Sequence, residues 1–141
     1  MSGTIRIVSP RLGTYDVPAD RILELPDGLV GLPDARRFAL LESNHPDTPF
    51  RYLLCVDLPE LAFLVCDPEP FFPGYAAGLP ASCGATAAEA AVLVIVTVPD
   101  DAGAMTANLM APLVIDGANR RGRQVIVEGA RFQTRHRLLP D

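Results

Sequence analysis

Residues 92–127 read VLVIVTVPDDAGAMTANLMAPLVIDGANRRGRQVIV, with two β-rich runs on either side of the peptide TANLMAP at 106–112. Proline has no N–H to donate to a β ladder, so Pro112 is expected at a sheet edge, at a strand start or in a bulge. Asn108 has a short polar side chain that can bond nearby backbone and hold a kink. Apolar surface gathers at the same point through Leu109, Met110, Leu113 and Ile115. A kinked, apolar sheet edge of this kind is expected to receive a strand or helix of a partner.

The rest of the chain also predicts short β-strands, separated by Pro and Gly at roughly ten-residue spacing. Thr4–Val8 alternates polar and apolar residues with period 2, and Gly13–Val17 does so less cleanly. We therefore predict an all-β fold, a small antiparallel β-barrel-like or sandwich domain over residues 1–141 with at most one or two short helices. The alanine-rich segment Ala85–Ala91 is the one helical prediction. Further strands are expected at Ile22–Leu25, Phe38–Leu41, Tyr52–Val56, Ala62–Cys66, Val92–Val98, Leu113–Ile115, Arg123–Val127 and Phe132–His136.

The composition is that of one ordinary domain in a reducing compartment. The chain has 141 residues, a size at which about 68–70% of the unfolded surface is buried on folding. It has no apolar run of about 18 residues that would span a membrane, and its first residues, MSGTIRIVSP, do not read as an export signal. Its three cysteines lack C-x-x-C spacing and are expected to be buried thiols. We predict a soluble cytoplasmic protein with no membrane partner.

The charge is distributed unevenly along the chain. Residues 42–116 carry ten acids and one arginine, a net charge of −9, whereas residues 117–141 carry six arginines and two acids, a net charge of +4. A segment at −9 repels phosphate and attracts cationic surfaces, so direct binding of nucleic acid is not expected. The alternative is that these acids are solvated loop residues that keep a small protein soluble.

The sequence contains no recognisable catalytic or metal-binding pattern. His45 and His136 are the only imidazoles, and neither lies beside a cysteine in the sequence. Cys55 and Cys66 occur in apolar, strand-like runs and are expected to be inert, whereas Cys83, in a Ser-Cys-Gly loop, is the only candidate for a reactive thiol. Gly-rich phosphate loops and metal-ligand spacings are missing from the sequence. We expect no enzyme activity, no metal and no cofactor; a Cys83-dependent hydrolase is the alternative from a different class.

An aromatic cluster follows the acidic turn DPEP. The peptide FFPGY at 71–75 has three aromatic residues in five positions. Three such rings cannot all face one core from a strand, and Pro73 and Gly74 exclude a helix. At least one ring is therefore expected to be partly exposed, where large rings make good interface anchors. The alternative is that Phe71 and Tyr75 cap the end of a barrel.

Six short motifs follow one another in a distinctive order. They are PDGLVG at 26–31, PF at 49–50 followed by YLL, LAFLVCDP at 61–68, FFPGY at 71–75, TANLMAP at 106–112 and QVI at 124–126. Their order and spacing, over about residues 4–139, resemble the FliW family of flagellar assembly factors. The resemblance implies a small antiparallel β-barrel-like fold.

The resemblance also implies a non-enzymatic regulator with two protein partners that bind in turn. FliW-like proteins bind flagellin, and they bind CsrA, a small mRNA-binding repressor of translation. Flagellin that accumulates in the cytoplasm would occupy the protein and free CsrA to repress flagellin translation. After flagellin export, the protein would capture CsrA and relieve the repression. A dedicated flagellin chaperone without CsrA antagonism is the nearest alternative.

We assign the two partners to different candidate residues. CsrA must present cationic groups to RNA, so acidic side chains are expected to attract it and to repel RNA from the complex. The terminal segments of flagellin are amphipathic helices, so an apolar groove is expected to receive them. The acidic candidates are Asp57, Glu60, Asp67, Glu69, Asp100 and Asp101. The apolar candidates are Phe71, Phe72 and Tyr75 together with Leu109, Ala111 and Pro112, next to Asn108.

Overall fold

A computed structural model describes residues 3–42, 47–85, 88–98, 105–127 and 136–138. Over these residues the chain forms eleven strands and two single-turn 3₁₀ helices, which confirms the all-β prediction. The helical turns are Ala19–Arg21 and Ala81–Cys83, and no helix in these ranges is long and apolar enough to cross a bilayer. The strands are β1 Thr4–Ser9, β2 Gly13–Pro18, β3 Leu23–Glu24, β4 Arg37–Glu42, β5 Phe50–Cys55, β6 Ala62–Cys66, β7 Ala90–Thr97, β8 Thr106–Ala107, β9 Leu113–Asp116, β10 Arg121–Gln124 and β11 His136–Arg137.

Seven of these strands close into a barrel in the order β7, β6, β5, β4, β3, β10 and β9, and β9 then pairs with β7. All neighbours are antiparallel except β3 and β10, which are parallel. That parallel seam is short: Glu24 pairs with Arg121, and the Glu24 N–H donates to the Arg120 carbonyl at 2.9 Å. Arg120 has φ +53°, the only positive φ at a non-glycine residue in the described ranges. Closure pairs the strand edges that an open sheet would leave exposed.

Alternate residues of the barrel strands face the interior and the exterior. In β5, Leu53 and Cys55 belong to the interior cluster, whereas Leu54 packs outward beneath the β1–β2 hairpin. The interior layer draws on strands all around the barrel and includes the fully buried Phe38 and Val65. Burial of such side chains contributes roughly 1.5–3 kcal/mol each, which makes this layer the main source of stability.

Two segments cover the outer face of the barrel. The β1–β2 hairpin packs Ile7 and Val17 against one wall. The irregular segment 71–85 packs Tyr75 and Leu79 against the wall formed by β6 and β7. These covers explain why β6 and β7 read as continuous apolar runs in the sequence, since both of their faces are buried.

Two local predictions are wrong or only partly tested. The helix expected at Ala85–Ala91 does not form in the described part of this segment: Ala88 and Glu89 lie in a turn, and Ala90 and Ala91 begin β7 opposite Asp116 and Ile115. Pairing with β9 therefore overrides the helix propensity of alanine. The strand expected at Phe132–His136 lies mostly outside the described residues, with only His136 inside β11.

Candidate functional site

The TANLMAP peptide forms a bulge in the sheet. The Asn108 N–H donates to the Ile95 carbonyl at 2.9 Å, and Leu113 pairs with Leu93, while Leu109–Pro112 leave the ladder between these contacts. The Asn108 Oδ1 accepts the Met110 N–H at 3.1 Å, so the prediction that Asn108 holds a kink is confirmed. Pro112 directly precedes β9, at a strand start, where it needs no N–H. We call Asn108–Pro112 the bulge segment.

The carbonyls of the bulge are satisfied by groups from distant parts of the chain. The Tyr75 hydroxyl donates to the Leu109 carbonyl at 2.5 Å, and Gln124 Nε2 donates to the Ala111 carbonyl at 3.1 Å. The N–H groups of Val127 and Val125 donate to the carbonyls of Met110 and Pro112 at 2.7 and 2.9 Å. Burial, and secondarily the nearby Cys83, raises the pKa of the Tyr75 phenol, so this hydroxyl keeps its proton and remains a donor.

The bulge is covered, which corrects one expectation. Leu109 is 2% exposed, Ala111 is 8% exposed and Pro112 is fully buried, so these residues do not offer the open apolar surface that the sequence suggested. The reason is that the sheet closes: β9 pairs with β7 and β10, so the kink lies inside a ladder and not at a free edge. Whether these residues affect partner binding is not tested by their burial and stays a prediction.

The aromatic cluster is partly core and partly surface. Tyr75 is buried, whereas Phe71 and Phe72 are half-buried and pack against the same outer cluster. The Phe71 ring lies 5.8 Å from that of Phe50, tilted by 43°. The expectation of at least one partly exposed ring therefore holds for Phe71 and Phe72, whereas Tyr75 is buried against the outer wall of β6 and β7.

Asp57 is tied into the fold. Its Oδ2 accepts the N–H groups of Arg36 and Arg37 at 3.2 and 2.8 Å, and its Oδ1 pairs with Arg37 Nε at 3.0 Å. Burial pushes the pKa of this carboxyl up, but the backbone N–H of Arg37, its guanidinium and the N–H of Arg36 together outweigh burial and lower the pKa. Asp57 thus keeps its negative charge, and that charge is paired with the guanidinium of Arg37.

The remaining acidic candidates lie at two ends of β6. Glu60 is exposed and precedes this strand, whereas Asp67 and Glu69 follow it. A strand of this length spans about 16 Å, so these carboxylates do not form one patch. Asp67 Oδ1 accepts the Glu69 N–H at 3.0 Å and Glu69 Oε2 accepts the Gly74 N–H at 2.9 Å, which shapes the turn into the aromatic cluster. Asp100 and Asp101 lie outside the described residues.

A groove at one end of the barrel was not anticipated from the sequence. It has a volume of about 380 Å³. The turn at 26–33 packs Leu29 into the interior at this end of the barrel, but it leaves the interior residues Phe63 and Ile95 only half-buried. We call it the mouth groove; its lining is Leu29, Val30, Leu32, Phe63, Ile95, Asn108, Met110, Ala111, Gln124 and Ile126.

Gln124 joins the two sides of the mouth groove. Its Oε1 accepts the Val30 N–H at 2.8 Å and its Nε2 donates to the Ala111 carbonyl at 3.1 Å. The turn itself is narrow: Leu29 and Leu32 exchange backbone hydrogen bonds of 3.1 and 2.8 Å, and Gly28 has φ +71° with no room for a Cβ, which would meet the Leu32 carbonyl at 2.5 Å. The PDGLVG and QVI motifs were the available signals, since they provide this turn and this glutamine.

The thiols are buried. Burial raises the pKa of Cys55 and raises that of Cys66 to about 12. Cys83 is 5% exposed and packs in one cluster with Tyr75 and Leu79, so all three cysteines are buried as expected, and burial counts against the alternative in which Cys83 is a reactive thiol. The short 3₁₀ turn at Ala81–Cys83 directs this side chain inward. The described residues contain no group of His, Cys, Asp and Glu arranged to hold a metal ion.

Comparisons with known proteins agree with this architecture. The family model for FliW protein matches residues 6–138. Flagellar assembly factor FliW from Heliobacterium modesticaldum is 37% identical, with the alignment covering 96% of this chain and 92% of that protein. Flagellar assembly factor FliW from Natranaerobius thermophilus is 35% identical, over 97% of this chain and 94% of that protein. A crystal structure of the flagellar assembly factor FliW superposes with a TM-score of 0.84 at 32% identity, over 97% of this chain and 99% of that one. The chain therefore belongs to the FliW family of flagellar assembly factors.

Proposed function

We propose that this protein acts in the cytoplasm as a flagellar assembly factor that binds flagellin and CsrA in turn, so that the supply of free flagellin controls translation of flagellin mRNA. The observation that supports this proposal is the nearly full-length correspondence with relatives named flagellar assembly factors. No catalytic step is part of the proposal, since two binding equilibria that share one protein are sufficient.

The proposed contact with CsrA is electrostatic. An RNA-binding protein presents arginine and lysine side chains to phosphates, and exposed carboxylates are attracted to the same field. Glu60, Asp67 and Glu69 are the main described carriers, because Asp57 is already paired with Arg37. Once bound, their negative potential would disfavour RNA even without covering the RNA-binding surface. Asp100 and Asp101 stay in this proposal as acids of the same segment.

The proposed contact with flagellin is apolar. An amphipathic helix lays its apolar face into a hydrophobic groove, with anchors about one helical turn apart. The half-buried rings of Phe71 and Phe72 offer partly exposed apolar surface for such a contact. The buried candidates Tyr75, Leu109, Ala111 and Pro112, with Asn108, would act beneath the surface by holding the bulge in shape.

The test uses purified protein with purified flagellin and CsrA of the same organism. Affinities are measured by calorimetry at about 50 and 300 mM salt, which changes the screening length from roughly 14 to 6 Å. The proposal expects CsrA affinity to fall with salt, flagellin affinity to change little, and each partner to displace the other. Flagellin binding without CsrA binding would instead support the dedicated chaperone. Absence of both would refute the proposal.

A further inference from the structure

We propose that the parallel seam between β3 and β10 is a place where the barrel wall opens locally, and that the Gln124 side chain holds it closed. In the open form β10 separates from β3 but stays paired with β9, so the rest of the barrel remains folded. The opening needs no partner. It therefore goes beyond the proposed function and is independent of whether flagellin or CsrA binds.

Within the described ranges, the seam is the shortest pairing between neighbouring strands of the barrel. It pairs a single residue from each strand, Glu24 with Arg121, whereas the antiparallel neighbours pair two to five. The same two side chains form an ion pair, with 3.8 Å between Arg121 Nε and Glu24 Oε2, but they are 64% and 56% exposed. A solvent-exposed ion pair contributes little to stability. Separation of β10 from β3 therefore disrupts few interactions.

The closing strand β10 contributes no side chain to the interior layer. Its sequence is RGRQ, and none of these four residues is buried. In the described part of the chain, each of the other six barrel strands contributes at least one buried residue to that layer, such as Leu23 from β3 and Leu113 from β9. Because burial of apolar side chains is the main source of stability, β10 can move without withdrawing such a side chain from the core.

Two cavities meet at the seam. One has a volume of about 410 Å³ and the other of about 590 Å³, and Pro26 and Arg121 line both of them. Side chains that border open space have fewer neighbouring atoms and gain less from dispersion contacts than side chains in a close-packed interior. A movement of β10 away from β3 therefore gives up little packing.

Gln124 connects β10 to the turn that follows β3. Its Oε1 accepts the Val30 N–H at 2.8 Å, and its Nε2 donates to the Ala111 carbonyl at 3.1 Å, which orients the amide group. At the other end of β10, the Glu24 N–H donates to the Arg120 carbonyl at 2.9 Å. Opening of the seam breaks the contacts at both ends. Loss of the Gln124 contact should therefore raise the population of the open form at Glu24 as well.

Amide hydrogen exchange, measured residue by residue by NMR, tests the opening in the natural chain. We expect the Glu24 and Val30 amides to exchange at least about a hundredfold faster than those of Leu53 and Val65, which lie in strands paired on both sides. Low concentrations of urea should change the fast rates little, because a local opening exposes little surface. If Glu24 exchanges with the rate and the urea dependence of Leu53, the seam opens only on global unfolding and the proposal is refuted.

Gln124→Met tests whether the same opening breaks the Gln124 contact, because methionine is similar in size but makes neither hydrogen bond. We expect this variant to speed exchange at Val30 and, in the same proportion, at Glu24, by about threefold to tenfold. The hydrogen bonds of Gln124 do not reach Glu24. A contact with a merely local role would therefore speed exchange at Val30 alone.

Ile7→Val is the matched control. Ile7 is 2% exposed and packs beneath the β1–β2 hairpin, so the loss of one methylene group should destabilise the folded state by a similar factor without touching the seam. This variant should speed exchange at Leu53 and leave Glu24 unchanged. If Gln124→Met speeds Val30 alone, or if Ile7→Val speeds Glu24 as much as Leu53, the proposal is refuted.

Discussion

Replacing Tyr75 by phenylalanine removes one buried hydroxyl and leaves the ring in its cluster. The Leu109 carbonyl then loses its donor at a site where Leu109 is 2% exposed, too buried for water to take over. An unsatisfied buried acceptor costs about 1–3 kcal/mol. For a chain of this size, each kcal/mol lowers the melting temperature by about 4 °C, so we expect Tyr75→Phe to lower it by roughly 4–12 °C.

Urea unfolding followed by circular dichroism measures this loss of free energy of unfolding, with the slope m unchanged if the variant unfolds in the same way. Tyr15→Phe is the control, because the Tyr15 hydroxyl donates to the Leu12 carbonyl at 3.2 Å in a part-buried position that water can reach. That variant should lose less than about 1 kcal/mol. A Tyr75→Phe loss no larger than that of Tyr15→Phe would refute the view that this bond secures a buried bulge.

Three further predictions follow from burial and charge. Leu109→Ala should destabilise the protein by about 2–5 kcal/mol in urea unfolding, so a loss of partner binding in this variant would need a matching check that the protein is folded. Because the pKa of Asp57 is lowered in the folded state, its stabilising effect should be present above the unfolded pKa of about 3.9 and be lost as the pH falls below it. Unfolding measured between about pH 5 and 2 should therefore show a smaller decline in Asp57→Asn than in the natural chain. Neutralising Glu60, Asp67 and Glu69 together should weaken CsrA binding and reduce its salt dependence, while flagellin binding persists. If CsrA binding and the inhibition of RNA binding are both unchanged, the electrostatic role of these three residues is refuted.

The strands could be predicted from the sequence because their signals are local. Period-2 alternation located β1 and β2, and an apolar run that ends before Pro68 located β6, each to within a residue or two of the observed ends. The closure of the barrel could not be predicted in this way, because β3 and β10 meet across nearly a hundred residues and their pairing has no local signature. The kink at Asn108 and Pro112 was therefore identified correctly but was expected at an open edge.

The candidate site was harder to predict because burial and pairing are properties of the fold. Asp57 and Arg37 are twenty positions apart, and only the β4–β5 pairing brings them to 3.0 Å. The Gln124 bridge likewise depends on a turn ninety-four positions earlier. A motif can mark such residues as noteworthy, but it does not say whether they form a surface or support one.

The short parallel seam between β3 and β10 also has a consequence for synthesis of the chain. Glu24 can pair with β10 only after Arg120 and Arg121 have been translated. A chain emerging from the ribosome therefore cannot close the barrel until most of its length has been synthesised. Until then Leu23 and Leu25, which belong to the interior layer, lack the β10 side of their enclosure. The mouth groove is bounded by the turn after β3 and by the residues after β10, so it comes into existence at the same moment as closure. A nascent chain would thus have no mouth groove, which would form only with completion of the fold.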